Sequence, residues 1–332
     1  MRAVRLHGIR DLRVEDIAAP SAPGIGQVTI AVASAGICGS DLHNFSTGAW
    51  ITRAPSVAGH EFCGTVTAIG AGVSSVTPGQ KVVLDSRVIC GECPECRAGL
   101  GQVCRHLGFL GEVMDGGFAE LVTVPARNVL PAPEGVADRH LAMAEPLAVA
   151  LHALRRLALP KDATLLIAGC GPIGGLIALL ASRDGHVVLV ADRNEGRARL
   201  VADTTGAQIV RLADHAALAQ RFAVDTTGSD AVISSLLSSL SGAGRLALVG
   251  IGKPKPVIDP VYLVEREISL LGCHAFTDED LRDATSLLAD LSDALDDFIG
   301  EEITLHDVPS AYERLIVGTA EGLKTIICCG EA

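Results

Sequence analysis

Aromatic residues are scarce in this chain: one Trp, two Tyr and seven Phe, 3% of 332 residues. A core without many large rings must be built from Val, Leu, Ile and Ala, which suits parallel sheets buried on both faces. Positive charge is short as well. Lys and Arg number 27 against 39 Asp and Glu, a net charge of −12, and no basic run interrupts the balance. No nucleic-acid partner is expected, because one would require a basic face. No apolar run is long enough to span a bilayer, so no membrane partner is expected either. Met1-Arg2-Ala3-Val4-Arg5 leads straight into an apparent strand, without the apolar stretch of a secretory signal. A soluble, cytoplasmic protein is the expectation.

Apolar residues make up 48% of the chain, which gives ample material for cores. The length suggests two domains. The 36 glycines fit many tight turns between short elements. Ten cysteines in a chain of this size point to metal or redox chemistry more than to a disulfide framework.

Residues 1 to about 35, 64–70, 81–85 and 118–124 read as short strands separated by Pro and Gly turns. Between them runs Cys90-x-x-Cys93-x-x-Cys96-x7-Cys104. Four thiolates at that spacing can close a tetrahedral zinc site with no open position, which makes the metal structural. The lobe around them has few apolar residues, and metal would replace the core it lacks.

From about residue 146 the pattern changes. Helical spacing over 146–159 is followed by the apolar run Thr164 to Ala168, the mark of a buried parallel strand. Further strands are predicted at 187–191, 208–211, 223–225, 245–249 and 268–271, with helices between them. This is the alternation of a doubly wound α/β sheet. Helices are then predicted at 280–291 and 309–317, and a last strand at 324–328.

Gly169-Cys170-Gly171-Pro172-Ile173-Gly174 follows a predicted strand and opens a predicted helix. Asp192 ends the next strand, about 20 residues on, the context of a dinucleotide loop. Gly169 permits the turn, Gly171 lets the backbone approach a pyrophosphate, and Gly174 allows close helix–strand packing. Pro172 and Ile173 open the helix, whose N-terminus faces phosphate charge. Asp192 would accept hydrogen bonds from ribose hydroxyls and repel a 2′-phosphate, so NAD is favoured over NADP. Arg193, which could hold a 2′-phosphate, is read as an adenine-stacking or solvated residue.

Two more stretches carry ligand chemistry. Gly36-Ile37-Cys38-Gly39-Ser40-Asp41-Leu42-His43 holds a thiol, a hydroxyl and an imidazole in what reads as a glycine-flanked turn. Gly59-His60-Glu61-Phe62-Cys63-Gly64-Thr65-Val66 adds an imidazole and a carboxylate. Together with the four-cysteine lobe, the Gly-rich loop and Asp192, these stretches resemble the medium-chain, zinc-dependent alcohol dehydrogenase superfamily over nearly the whole chain. Ala142 to Ala153, with Glu145-Pro146, is similar to the polyol branch, near sorbitol, L-idonate 5- and threonine dehydrogenases.

The resemblance implies a GroES-like, β-rich catalytic domain from residues 1–147 and 277–332, with the structural zinc lobe at about 86–108. A Rossmann domain at 148–276 would interrupt it, and the cleft between them would hold zinc and nicotinamide. Cys38, His60 and Glu61 would bind a catalytic zinc, with Glu145 holding its water or replacing it. Glu145 also reads as a charge favoured at a helix N-terminus. Ser40 and His43 would relay the substrate proton, and Asp41 would be a turn or supporting residue. Two zinc ions per chain, NAD, a small-molecule alcohol and a homodimer or homotetramer complete the expectation.

The pattern also departs from that branch. Asn44 stands where an aromatic usually follows the relay histidine, and Ala275 stands where an arginine helps to hold the substrate. Arg53, Trp50, Phe109 and His274 are candidate pocket residues. The implied substrate is a secondary hydroxyl on a polyol-, aldonate- or cyclitol-like molecule. Threonine and simple secondary alcohols or diols are the alternative. A zinc-free NADPH-dependent reductase or a noncatalytic NAD-binding protein fits the cysteines, Ser40 and His43 less well.

Overall fold

A computed structural model describes residues 1–212, 220–252 and 258–330. They fall into two compact units, Met1–Ala148 with Thr277–Ala332, and Val149–Phe276.

The first unit is built on antiparallel strands: β1 (Arg2–Gly8), β2 (Asp11–Asp16), β3 (Gln27–Gly36), β4 (Ser56–Val57), β5 (Glu61–Ile69), β6 (Lys81–Leu84), β7 (Arg87–Val88), β8 (Gly108–Phe109), β9 (Leu121–Pro125) and β10 (Val129–Pro131). Its helices are α1 (Gly39–Thr47), α2 (Pro94–Arg97) and α3 (Asp138–Leu141); α4 (Ala144–Leu157) carries the chain into the second unit. β1 pairs with β2 and β4, and β7 with β8. The larger sheet runs β10-β6-β5-β3, with β9 also on β3.

In the second unit come β11 (Thr164–Ala168), α5 (Pro172–Arg183), β12 (Val187–Ala191), α6 (Glu195–Thr205), β13 (Gln208–Ile209), β14 (Phe222–Asp225), α7 (Asp230–Ser239), β15 (Arg245–Leu248), α8 (Pro260–Glu265) and β16 (Ser269–Gly272). All six strands are parallel, in the order β13-β12-β11-β14-β15-β16. That is the doubly wound order with its switch point beside the first strand, β11.

The chain then returns to the first unit with α9 (Asp278–Leu287), α10 (Ser292–Phe298), β17 (Ile299–Thr304), α11 (Val308–Val317) and β18 (Lys324–Cys328). β18 pairs antiparallel with β3 and parallel with β17, so the last strand joins the first unit's main sheet.

The few aromatic residues are not shared evenly. Phe45, Phe62, Phe118 and Tyr312 are buried in the core of the first unit, where Phe45 and Tyr312 meet edge to face at 5.4 Å. One buried cluster of the second unit contains only Leu, Ile and Ala, among them Leu166, Leu189, Leu236 and Leu246. An aliphatic core built on parallel strands therefore describes the second unit better than the first.

Strand and helix limits shift by a few residues from the sequence reading. The larger difference follows Cys38, where the glycine-flanked stretch reads as a turn but Gly39–Thr47 folds as a helix. Its apolar stripe is short, with Phe45 its one fully buried apolar side chain, so periodicity hardly marks it. Its stop is clearer, because Gly48 takes the left-handed conformation at φ 68°. α10 and β17 also lacked a distinct signal.

Candidate active site and metal centres

The four-cysteine lobe brings its sulfurs together. Cys90 Sγ lies 3.5 Å from Cys104 and 4.0 Å from Cys96, and Cys93 lies 3.9 Å from Cys104. A tetrahedron with zinc–sulfur bonds of about 2.3 Å has edges of about 3.8 Å, so the spacing fits zinc. Backbone N–H groups of Cys93, Cys96 and His106 point at the Cys90, Cys93 and Cys104 sulfurs, which favours thiolates. All ten cysteines are free.

A second set forms where β3 ends and β5 begins. Gly59, at φ +93°, turns the chain just before His60, and Glu61 then opens β5. A Cβ on Gly59 would strike the Phe118 ring. Across the sheet Gly36 pairs with Glu61, and two residues on Cys38 caps α1. One ligand atom each from Cys38, His60 and Glu61 lies within 4.8 Å of the others. Thiolate, imidazole and carboxylate are a donor set that zinc accepts, and three protein ligands leave a fourth position open.

Asp41 braces this set twice. One oxygen accepts the Cys38 backbone N–H at 2.9 Å, and the other lies 3.2 Å from His60 Nδ1. A carboxylate on Nδ1 holds the proton there and leaves Nε2 for a metal. Burial alone would depress the basicity of His60, but Asp41 and Cys38 outweigh it and raise its pKa well above the ordinary value. These surroundings favour a positive charge, as a cation site should. Ser40 Oγ sits 3.4 Å from His60 Nε2. His43 lies one turn further along α1, and its ring packs against Trp50 with centroids 5.0 Å apart.

Glu145 is buried in the first turn of α4 and accepts a hydrogen bond from the buried Ser86 hydroxyl at 2.8 Å. Burial first, with Glu61 adding to it, pushes its pKa up to about 7 against the opposing pull of His60. It does not belong to the three-ligand cluster of Cys38, His60 and Glu61.

Some functional surroundings were not visible in the sequence. Lys324, from β18, forms an ion pair with Glu61, and both side chains are 1% exposed. Glu112 is pushed up to about 7 by burial, with His60 opposing and Asp41 adding. Its side chain lines a small cavity of about 10 Å³ with Asp41, Asn44 and Tyr312. A lysine inside Leu323-Lys324-Thr325-Ile326-Ile327 was the one available signal, since a charge in a buried strand needs a partner. Nothing in the sequence named that partner.

The candidate pocket residues separate. Asn44 is buried, and its side chain accepts the backbone N–H of Trp50 at 2.8 Å, so the ring on His43 comes from six residues further along α1 and its following turn. Phe109 faces His60 at 6.3 Å between centroids. Arg53 pairs with Asp115 at an exposed position. His274 and Ala275 belong to the second unit, where Ala275 takes a positive φ of 50°.

In the second unit the Gly-rich loop connects β11 to α5. Gly169 has φ +100°, which favours glycine. Gly171 caps α5 with open space where a Cβ would be, and Pro172 occupies its first turn. A Cβ on Gly174 would collide with the Gly169 carbonyl. Asp192 ties the loop down, accepting the N–H of Cys170 at 2.6 Å and of Asn194 at 2.7 Å. Arg193 is exposed beside it, and Ile173 is half-buried in α5. An open helix N-terminus with a bare glycine at its cap fits a pyrophosphate.

Residues 24–134 match the alcohol dehydrogenase GroES-like domain, and residues 172–290 match the zinc-binding dehydrogenase family. The 2-dehydro-3-deoxy-L-galactonate 5-dehydrogenase of Pseudoalteromonas atlantica is 36% identical over 93% of this chain and 93% of its own. The L-galactonate-5-dehydrogenase of Escherichia coli is 30% identical, covering 92% of each. Among solved structures, 2R,3R-butanediol dehydrogenase from Bacillus subtilis superposes with a TM-score of 0.90 at 28% identity, over 98% of this chain and 99% of its own. RspB from Escherichia coli CFT073, solved with NADH, gives 0.91 at 27% over 99% of both chains. Sequence, fold and donor chemistry agree: this chain belongs to the zinc-dependent medium-chain dehydrogenases of the alcohol dehydrogenase superfamily, on their polyol branch.

Proposed function

We propose that the chain oxidises a secondary hydroxyl on a polyol, aldonate or cyclitol-like molecule to the ketone, giving NADH and a proton. The observation that carries this reading is the convergence of Cys38, His60 and Glu61 on one point within 4.8 Å. Relatives named for galactonates and sorbitol support the substrate class.

Cys38, His60 and Glu61 are the proposed ligands of a catalytic zinc, and Cys90, Cys93, Cys96 and Cys104 those of a structural zinc. Zinc supplies a Lewis acid for the hydroxyl oxygen, and NAD supplies the hydride acceptor. The remaining work falls to side chains. Asp41 fixes the His60 tautomer. Ser40 takes the hydroxyl proton, and His43, three residues along the same helix face, passes it to solvent. Glu145, held by Ser86, stands as a second carboxylate for a bound water or an exchanging ligand. Gly169, Gly171, Pro172, Ile173 and Gly174 present backbone to the pyrophosphate, and Asp192 selects the ribose hydroxyls of NAD, with Arg193 outside that contact. The first compact unit is thus proposed as catalytic and the second as cofactor-binding. Homo-oligomerisation, dimer or tetramer, is part of the same proposal, and light scattering in solution decides it.

Among the described residues no helix is long and apolar enough to cross a membrane. The test is NADH formation across polyols, aldonates, cyclitols, threonine and simple diols, with NADP in parallel. Turnover on one class, abolished by Cys38→Ala, is the expected result. Turnover that survives Cys38→Ala would refute the proposed metal centre.

A further inference from the structure

The turn that follows β14 is held from two sides. Asp225 ends the strand fully buried, and its carboxylate accepts the Thr227 N–H at 3.1 Å, the Thr227 hydroxyl at 2.6 Å and the Gly228 N–H at 2.9 Å. Gly228 takes φ +64°, and a Cβ on Gly250 would sit 2.2 Å from the Gly228 nitrogen. A buried anion needs its donors in place, so the carboxylate and the close-packed backbone together fix the turn.

Thr226 stands in that turn and points its hydroxyl at the Gly-rich loop. Its Oγ1 lies 3.1 Å from the Ala168 carbonyl and 3.0 Å from the Gly169 carbonyl, a three-centre arrangement for one proton. Its N–H also donates to Ala168, at 2.9 Å, so the hydroxyl's distinct contribution is the bond to Gly169. Glycines make room for this bond. A Cβ on Gly169 would sit 2.4 Å from Thr226 Oγ1, and one on Gly174 would sit 1.8 Å from the Gly169 carbonyl oxygen.

The Gly169–Cys170 peptide is thereby held at both ends. Its carbonyl accepts from Thr226, and its N–H donates to Asp192 at 2.6 Å. The C=O and N–H of a trans peptide point in opposite directions, so one grip on each fixes the plane. The grips come from the two strands that flank β11: Asp192 follows β12 and Thr226 follows β14. Gly169, at φ +100°, does not set that plane alone, because a glycine backbone rotates over a wide range.

We propose that Thr226 is a positioning residue for the dinucleotide. Its hydroxyl and Asp192 hold the Gly169–Cys170 peptide between them, which places the Gly171 backbone and the opening of α5 for a pyrophosphate before the cofactor arrives. This rests on the reading of the second unit as cofactor-binding. A loop fixed in advance gives up less conformational freedom on binding, so the hydroxyl acts on cofactor affinity and not on the chemical step.

The experiment uses the full-length zinc-loaded protein as wild type, Thr226→Val and Thr226→Ser. Valine keeps the branched shape and removes the donor, whereas serine keeps the donor. Calorimetric titration with NAD and ADP-ribose, and competition of adenosine against NADH, separate the parts of the ligand. ADP-ribose lacks the nicotinamide, and adenosine lacks the phosphates. For Thr226→Val the expected result is that NAD and ADP-ribose bind alike, about fivefold to tenfold more weakly, as loss of one hydrogen bond predicts. Adenosine binding stays at its wild-type value. Hydrogen exchange at the Cys170 amide quickens in the free protein, and KM for NAD rises with kcat little changed. Thr226→Ser restores affinity, exchange and KM. Unchanged NAD binding in Thr226→Val overturns the proposal. So does an equal loss of all three ligands, which a general loosening of the unit would give. Loss of NAD with ADP-ribose spared assigns Thr226 to the nicotinamide end and also overturns it. A serine variant as weak as the valine one assigns the effect to the methyl group, with the same consequence. If the valine variant fails to fold, Thr226→Ala, which lacks the same donor, decides by the same criterion. A wild-type protein that binds neither NAD nor ADP-ribose would instead refute the cofactor assignment, and the proposal with it.

Discussion

At Asp41 one carboxylate serves two groups, the Cys38 backbone N–H and the His60 ring. Asp41→Asn keeps the shape but offers an amide where an anion faced the imidazole. Metal affinity at the Cys38 site is expected to fall by about 10- to 100-fold, as for other lost supports of ligating histidines, with little change in fold by circular dichroism. Unchanged affinity would show that the His60 tautomer is set elsewhere. Asp192 ties the Gly-rich loop and is proposed also to select the cofactor ribose. Asp192→Ala should weaken NAD binding relative to NADP, and should also loosen the loop it ties through Cys170 and Asn194. A binding titration with both cofactors, beside hydrogen exchange at Cys170, separates the effects. The residue types at Cys38, His60, Glu61 and Asp192 were legible because their chemistry is local. Lys324, Ser86 and Glu112 were not, since their meaning comes from partners far away in sequence.

Among the elements, α10 is fastened to α3 by Asp296, which accepts from Arg139 at 2.7 and 3.1 Å and lies 2.6 Å from His140. Above all the Arg139 hydrogen bonds, helped by His140 and against slight burial, hold the Asp296 carboxyl at about 2. A depressed carboxylate adds stability above its unfolded value near 4, and this is lost as pH falls toward 2. Asp296→Asn should therefore cost less than about 1 kcal/mol at pH 7, as is usual for exposed pairs. The difference should vanish near pH 2; denaturant titrations at pH 7, 4 and 2.5 would show a constant gap if the pair contributed nothing by charge. In the second unit, Leu236 on α7 is fully buried against β11 and β15 neighbours such as Leu166 and Leu246. Leu236→Ala should cost about 2–5 kcal/mol, read from the shift of the denaturation midpoint. Most strands could be read because alternation and apolar runs report burial directly. Helix α1 could not, because a short helix needs only one buried apolar anchor, Phe45.

For the whole molecule, the metal lobe and the last strand matter most. Cys93→Ser should release the structural zinc and open the lobe around α2, with faster proteolysis between residues 88 and 108 than in the wild type. Equal protease resistance would mean that the lobe holds itself without metal. The two-unit arrangement depends on chain return: α9 to β18 come after the doubly wound sheet yet complete the first unit through the β18–β3 pairing.

The sequence by itself determined the fold class, the family and the ligand types. Spacing of four cysteines, a glycine loop between strand and helix, and apolar runs all act over a few residues, so they survive in one dimension. The tertiary structure decided which charges meet. Lys324 reaches Glu61 across 263 positions through the gap at Gly36, and Asp41 turns the His60 ring. Electrostatic energy depends on distance in space and on exclusion of water, and neither is written along the chain until the strands have paired.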